Sequence, residues 1–426
     1  MTVERWLRGL SVAALVSAGL AGPALAQEEA LGANVQGLLA YARTQSPELG
    51  AMRQEADAAT QRVQPAGALP DPVLRVELMN INNYGNDAPS SLLPWRVGET
   101  RYTLMQMLPG WGKRELRRDV AAADATQARA RTEATWAELA ARIKATYAEY
   151  YRAAGNERLA REVLDLMSRL EQIAQARYAG GLVAQQDSIR AQLEQTAMRS
   201  ELIALDSEKR QLRARLNALL AREAAAPLAE PLLLRPLPPL ASSDAATLAE
   251  RARATNPLLQ VEQARWLGAQ KNRDLTWRNR YPDLQAGIAP TQMRSRITSW
   301  GLMLELNIPL QQESRRGQER EAEAMVSAAR SRTEALALQL LGELGGQLAA
   351  FDAARRTESL IRTQMLPQSD LTLQSALVAY ESGKVDFATL LDAQRQIRKA
   401  RQDHLKTQVE AQIRLADIER IVGEDF

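Results

Sequence analysis

Cysteine is absent from the 426 residues, and histidine occurs once, at His404. The first absence excludes disulfides, thiolate zinc sites and cysteine nucleophiles. The second excludes a histidine-rich metal site and a Ser/His/Asp triad, because no other imidazole exists to serve. Aromatics make up 4% of the chain, with three Phe, and so few large rings cannot furnish a conventional globular core. Beyond residue 26 no run is apolar enough for a transmembrane helix, so a membrane could be entered only by β-strands or touched by a surface helix. An excess of one charge is missing too: 54 Lys+Arg against 51 Asp+Glu leaves a formal +3. Without clustering, that is no nucleic-acid surface.

Ala, Leu, Arg, Glu and Gln fill the chain instead, a composition of long helices buried along narrow seams. Residues 1–26 read as an export signal. Arg5 and Arg8 precede an apolar run from Leu10 to Leu20, and Ala24-Leu25-Ala26 offers small residues for cleavage before Gln27. No Cys follows the cleavage point to carry a lipid.

The mature chain repeats itself once. Ser46-Pro47 and Asn256-Pro257 each pair an N-cap side chain with Pro at the first helical position. Leu69-Pro70-Asp71 is echoed by Tyr281-Pro282-Asp283, and Arg177-Tyr178-Ala179-Gly180-Gly181-Leu182-Val183 by Ala379-Tyr380-Glu381-Ser382-Gly383-Lys384-Val385. The offsets of 210, 212 and 202 residues stay close enough to mark one duplicated unit. We divide the mature chain into a first repeat at 27–222, a proline-rich connector at 223–243 and a second repeat at 244–426.

Each repeat carries two patterns. Leu159, Val163, Leu166, Leu170 and Ile173, and in the second copy Leu336, Leu340, Leu344, Leu348 and Phe351, form narrow apolar stripes on outgoing helices. Leu205, Leu212, Leu216 and Leu219, and then Leu405, Val409, Ile413 and Ala416, mark the returning helices. Two long antiparallel helical hairpins follow. The second pattern alternates: Leu74, Val76 and Leu78 in one copy, Trp300, Leu302, Leu304, Leu306 and Ile308 in the other. Arg101–Leu108 and Leu284–Ala289 complete a strand pair in each copy. A period of two with one apolar face suits a transmembrane strand or a small soluble sheet. Signal, duplication and oversized hairpins favour the membrane, and four strands cannot close a barrel alone.

A strand pair plus a long hairpin in each of two copies, with a Tyr-x-x-Gly motif at Tyr178 and Tyr380, resembles the TolC family of outer-membrane efflux proteins. The run from Leu69-Pro70-Asp71-Pro72 through Gln106-Met107-Leu108-Pro109-Gly110-Trp111-Gly112-Lys113-Arg114 is similar to the CzcC/CusC-like heavy-metal branch. The resemblance implies a mainly α chain whose four strands contribute to a shared trimeric barrel of twelve strands in the outer membrane, with the helices forming a periplasmic tunnel. It implies a passive export duct, not an enzyme, with no cofactor and no resident metal. The partners would be a periplasmic adaptor, an inner-membrane resistance-nodulation-division pump and outer-membrane lipid, with no nucleic acid. Heavy-metal cations are the expected cargo, with organic drugs or type I secretion as alternatives. Many relatives carry a lipidated N-terminal Cys; this chain departs from them.

By the same resemblance the hairpin tips meet the adaptor, at Tyr178, Gly181, Leu182 and Val183 and at Tyr380, Gly383, Lys384 and Val385. Gly181 and Gly383 fall where a turn needs positive φ. The family's two acidic constriction positions map onto Thr389 and Asp392, counted from Tyr380, and onto Asp187 and Arg190, counted from Tyr178. Only Asp392 and Asp187 are acidic, and each could instead pair with Arg395 or Arg190 one turn on. Gly110-Trp111-Gly112-Lys113 fails a Walker A match at Met107 and Arg114 and reads as a strand-to-helix turn. His404 reads as a flank of the helical seam. Met79, Met105, Met107, Met293 and Met303, on or near the strands, read as apolar fill rather than copper ligands. A periplasmic adaptor would show one hairpin flanked by small β domains, and a coiled-coil structural protein would need no alternating strands.

Overall fold

The computed structural model describes residues 31–81, 90–181, 183–239 and 245–426; the export signal and Leu182 lie outside the described residues. The first copy runs through helices α1 (Val35–Gln45) and α2 (Pro47–Ala66), strands β1 (Val73–Met79) and β2 (Glu99–Leu108), and helices α3 (Lys113–Ala179) and α4 (Gln185–Leu219). The second repeats the order with α5 (Ala245–Thr255), α6 (Pro257–Arg278), β3 (Leu284–Met293), β4 (Arg296–Leu306) and α7 (Gln312–Leu360). A π-helical turn at Ile361–Met365 then leads into α8 (Leu366–Glu381), and α9 (Phe387–Val422) returns.

Local chemistry sets these boundaries. Ser46 accepts from the Leu49 amide and Asn256 from the Leu259 amide, each just ahead of the helix-opening Pro. At the π-turn, Pro367 offers no amide to the carbonyl four residues back and its ring crowds it; a wider turn beside it relieves both problems. Outgoing α3 is unbroken and spans about 100 Å at 1.5 Å per residue.

The apolar seams run as predicted in α7 and α4, where Leu340, Leu344, Leu348 and Phe351 and Leu205, Leu212 and Leu216 are buried. Two seams differ. In α3 the tightest positions are Ala153, Ala154, Ala160, Met167, Leu170 and Ala174, while Leu159, Val163, Leu166 and Ile173 are half-buried. Small residues mark where helices approach most closely: a Cβ on Gly155 would stand 2.9 Å from Leu405 Cδ1 of α9. In α9 the predicted Val409 and Ala416 are buried, whereas Leu405 and Ile413 are half-buried and Ala411, Leu415, Ile418 and Ile421 complete the buried line. That helix packs against α7 and α3 together, so one stripe cannot describe it. His404 bonds Glu358 at 2.9 Å, flanking the seam as the sequence suggested.

A buried ion cluster ties the two copies together. Lys144 of α3 donates to Glu419 of α9 at 2.8 Å and to Asp425, and Arg235 of the connector reaches the other Glu419 oxygen at 2.7 Å.

The four strands form one antiparallel sheet in the order β1-β2-β3-β4. Strands β2, β3 and β4 start or end outside the expected limits; β4 begins at Arg296 and stops at Leu306, leaving Ile308 in the lead to α7. Across the sheet the register brings Leu74, Leu104, Ile288 and Leu302 into one row, all exposed. The opposite face carries Arg75, Glu77, Arg101, Gln285 and Glu305. Among the described residues the outer edges of β1 and β4 have no strand partner. No described helix is long and apolar enough to cross a membrane.

Candidate functional site

The two hairpin tips lie side by side. Both turn glycines adopt the left-handed conformation, Gly181 at φ +69° and Gly383 at φ +73°. A Cβ on Gly181 would meet nothing within 4 Å, and one on Gly383 would meet only an Arg177 nitrogen, at 3.2 Å. The turns are therefore open on their outer side.

The two motif tyrosines have different environments. Tyr178 is half exposed, whereas Tyr380 is buried edge-on against Phe387 with ring centroids 5.5 Å apart. Arg177, at the end of the first outgoing helix, donates to the Tyr380 carbonyl at 2.5 Å and lies over its ring at 5.2 Å. Burial, reinforced by the neighbouring Asp187 charge, pushes the Tyr380 phenol up. The tips are thus fastened to each other through Arg177 and Tyr380. Lys384 is exposed and Val385 and Val183 half-buried beside them.

Beyond the second tip, Asp386 caps α9, accepting from the Thr389 amide at 2.9 Å and hydroxyl at 2.6 Å. Those hydrogen bonds hold the Asp386 carboxyl below its usual range. Thr389 is therefore engaged in a helix cap. Asp392, one turn further, is exposed, and Arg395 does not pair with it; that guanidinium bonds Glu194 of α4 instead. Among the described residues no ion pair joins Asp187 to Arg190 either. For Arg395 the same-helix pairing is replaced by a contact across helices. Asp386 was missed in the sequence, although Asp-x-x-Thr ahead of an apolar run is a capping pattern.

At the other end of the long helices, Gly110-Trp111-Gly112-Lys113 forms the predicted turn from β2 into α3, with Gly112 at φ +81°. Lys113 is buried and donates to Asp283 at 2.8 Å and to the Tyr281 carbonyl at 2.7 Å; the Gly110 amide bonds the same Asp283 oxygen at 2.7 Å. Burial works against the Asp283 carboxylate, but Lys113 and the Gly110 amide outweigh it and hold the carboxyl below its ordinary range. This clasp joins the two copies where strands become helices. Among the described residues no group of His, Asp and Glu is arranged to hold a metal.

Two copies of strand pair plus hairpin, a sheet with an apolar face and open edges, and open tips at the far end describe a duct rather than a catalytic pocket. The cobalt-zinc-cadmium resistance protein CzcC of Cupriavidus metallidurans is 22% identical over 407 residues, covering 94% of this chain and 92% of that protein. Among solved structures, the outer membrane protein VceC of Vibrio cholerae superposes with a TM-score of 0.76 at 17% identity, covering 92% of this chain and 96% of that one. CusC superposes at 0.75 and 17% identity, covering 92% of each chain. The family model described as outer membrane efflux protein matches residues 38–222 and 248–424, most of each copy. The sheet accordingly belongs to the outer membrane and the helices to a periplasmic tunnel, and the chain is a member of the outer membrane efflux protein family.

Proposed function

We propose that this channel is the trimeric outer-membrane duct of a tripartite resistance-nodulation-division efflux system and that its cargo is a heavy-metal cation. The observation carrying the cargo reading is similarity over 94% of the chain to a cobalt-zinc-cadmium resistance protein, joined by the fold shared with CusC. The trimer rests on the sheet: four strands with two open edges cannot close, and three copies in register supply enough strands for a barrel. Energy comes from the inner-membrane pump.

The open turns at Gly181 and Gly383, with Tyr178, Leu182, Val183, Tyr380, Lys384 and Val385, are the surface we assign to the periplasmic adaptor. Asp392, exposed and unpaired with Arg395, is the carboxylate we assign to the tunnel constriction, where a ring of three would attract cations. Asp187 and Thr389 support the same region through Tyr380 and the α9 cap.

Deleting the gene and measuring tolerance to zinc, cadmium, cobalt and copper tests the cargo. Lost metal tolerance restored by the gene is the expected result. Unchanged metal tolerance with a rise in sensitivity to dyes and antibiotics would assign organic cargo instead.

A further inference from the structure

Met105, Met107 and Met303 stand on the face of the sheet opposite its exposed leucine row. Register puts Val73, Met105, Gly287 and Met303 in one row, and Met107, Gln285 and Glu305 in the next row toward the tunnel. Strands are about 4.8 Å apart, so Met105 and Met303 start roughly 10 Å from each other with only Gly287 between them. The glycine leaves that gap open, and Met105 fills it: its Cγ lies 2.9 Å from where a Gly287 Cβ would be. Two unbranched thioether chains therefore flank a bare backbone in one row, with Met107 one row below and Glu305 on the same strand as Met303.

Apolar fill accounts for Met105, which is buried at 7% exposure, but not for Met107 and Met303, which are half-buried. Their face of the sheet carries Arg75, Glu77, Arg101, Gln285 and Glu305, and in a closed barrel it lines the aqueous bore. Thioethers are soft donors that favour Cu+ and Ag+ over harder cations.

We propose that Met105, Met107 and Met303, assisted by the charge of Glu305, form a transient station for a soft monovalent cation, Cu+ or Ag+, on the inner wall at the tunnel end of the barrel. Arg75, one row outward on β1, opposes tight binding, which suits a site that must release its ion. The station deepens the metal-export reading and rests on it.

The test is equilibrium binding of Ag+ to the full protein purified in detergent, in chloride-free buffer. Saturable uptake of about one Ag+ per chain is expected. The combined Met105→Leu, Met107→Leu, Met303→Leu variant should weaken it about tenfold or more. Glu305→Gln should weaken it about threefold, and Met325→Leu with Met365→Leu, on exposed helical positions, should leave it unchanged. X-ray absorption on silver-loaded wild-type protein gives a readout that needs no variant, with sulfur neighbours expected. Absence of saturable binding, an oxygen-only shell, or binding retained in the triple leucine variant would overturn the station. Metal tolerance unaffected by gene deletion would overturn export while leaving the binding result to stand.

Discussion

An ammonium as deeply buried as that of Lys113 needs a carboxylate beside it, and Asp283 is the acidic side chain bonded to it. Replacing Asp283 with Asn leaves the charge without its counterion, and the cost should be about 3 kcal/mol of stability. Unfolding of the detergent-purified protein by heat or denaturant measures it. The pH dependence follows from the depressed Asp283 pKa. Its stabilisation is full above the unfolded carboxyl value, near pH 4, and disappears as pH falls through the lower folded value. The gap between wild type and Asp283→Asn should therefore be widest near neutrality and shrink in acid; a gap independent of pH would assign the loss to packing. Legibility in the sequence was uneven at this scale. Lys113 was read only as part of a turn, and Asp392 was offered Arg395, since reasoning within one helix sees partners three or four positions away. The real partners, Asp283 for Lys113 and Glu194 for Arg395, lie 170 and 201 residues distant.

The turn elements separate docking from folding. At φ +69° any side chain with a Cβ strains the backbone, by roughly 1–2 kcal/mol for most residues and less for Asn. Because the space around Gly181 is empty, Gly181→Asn should leave assembly and membrane level unchanged. If the tip docks on the adaptor, the same variant should cut metal resistance about tenfold, because its side chain enters the space the partner needs. Full resistance in Gly181→Asn, with loss of folded protein in Gly181→Val, would show a turn and nothing more. Elements were the most legible level. Alternation located all four strands and the apolar stripes located both hairpins, since each pattern records a face that must be covered. What escaped was the α9 line through Ala411 and Leu415, because a helix with neighbours on two sides has no single stripe, and the π-turn, whose cause, Pro367, reads in sequence only as a break.

Assembly is the property no single chain displays. The protein should fractionate with the outer membrane, and native mass measurement in mild detergent should give three chains; a soluble periplasmic monomer would sink the duct. In a planar bilayer, Asp392→Asn should weaken block by divalent cations added from the tunnel side, and unchanged block would remove that carboxylate from the constriction. The trimer and the constriction came from the family resemblance and not from the residue pattern itself, because edge pairing between copies leaves no mark distinct from an ordinary strand. The π-turn at Ile361–Met365 bears on this scale too. It adds backbone to one turn of the second outgoing helix, while α3 runs unbroken. A wider turn shifts the phase of the helix that follows it, and the two motif tyrosines differ in exposure, Tyr178 half exposed and Tyr380 buried. Around the proposed trimer, tips of two kinds would alternate, so a ring that looks evenly spaced has only threefold symmetry, and an adaptor chain reading it would meet two different seats.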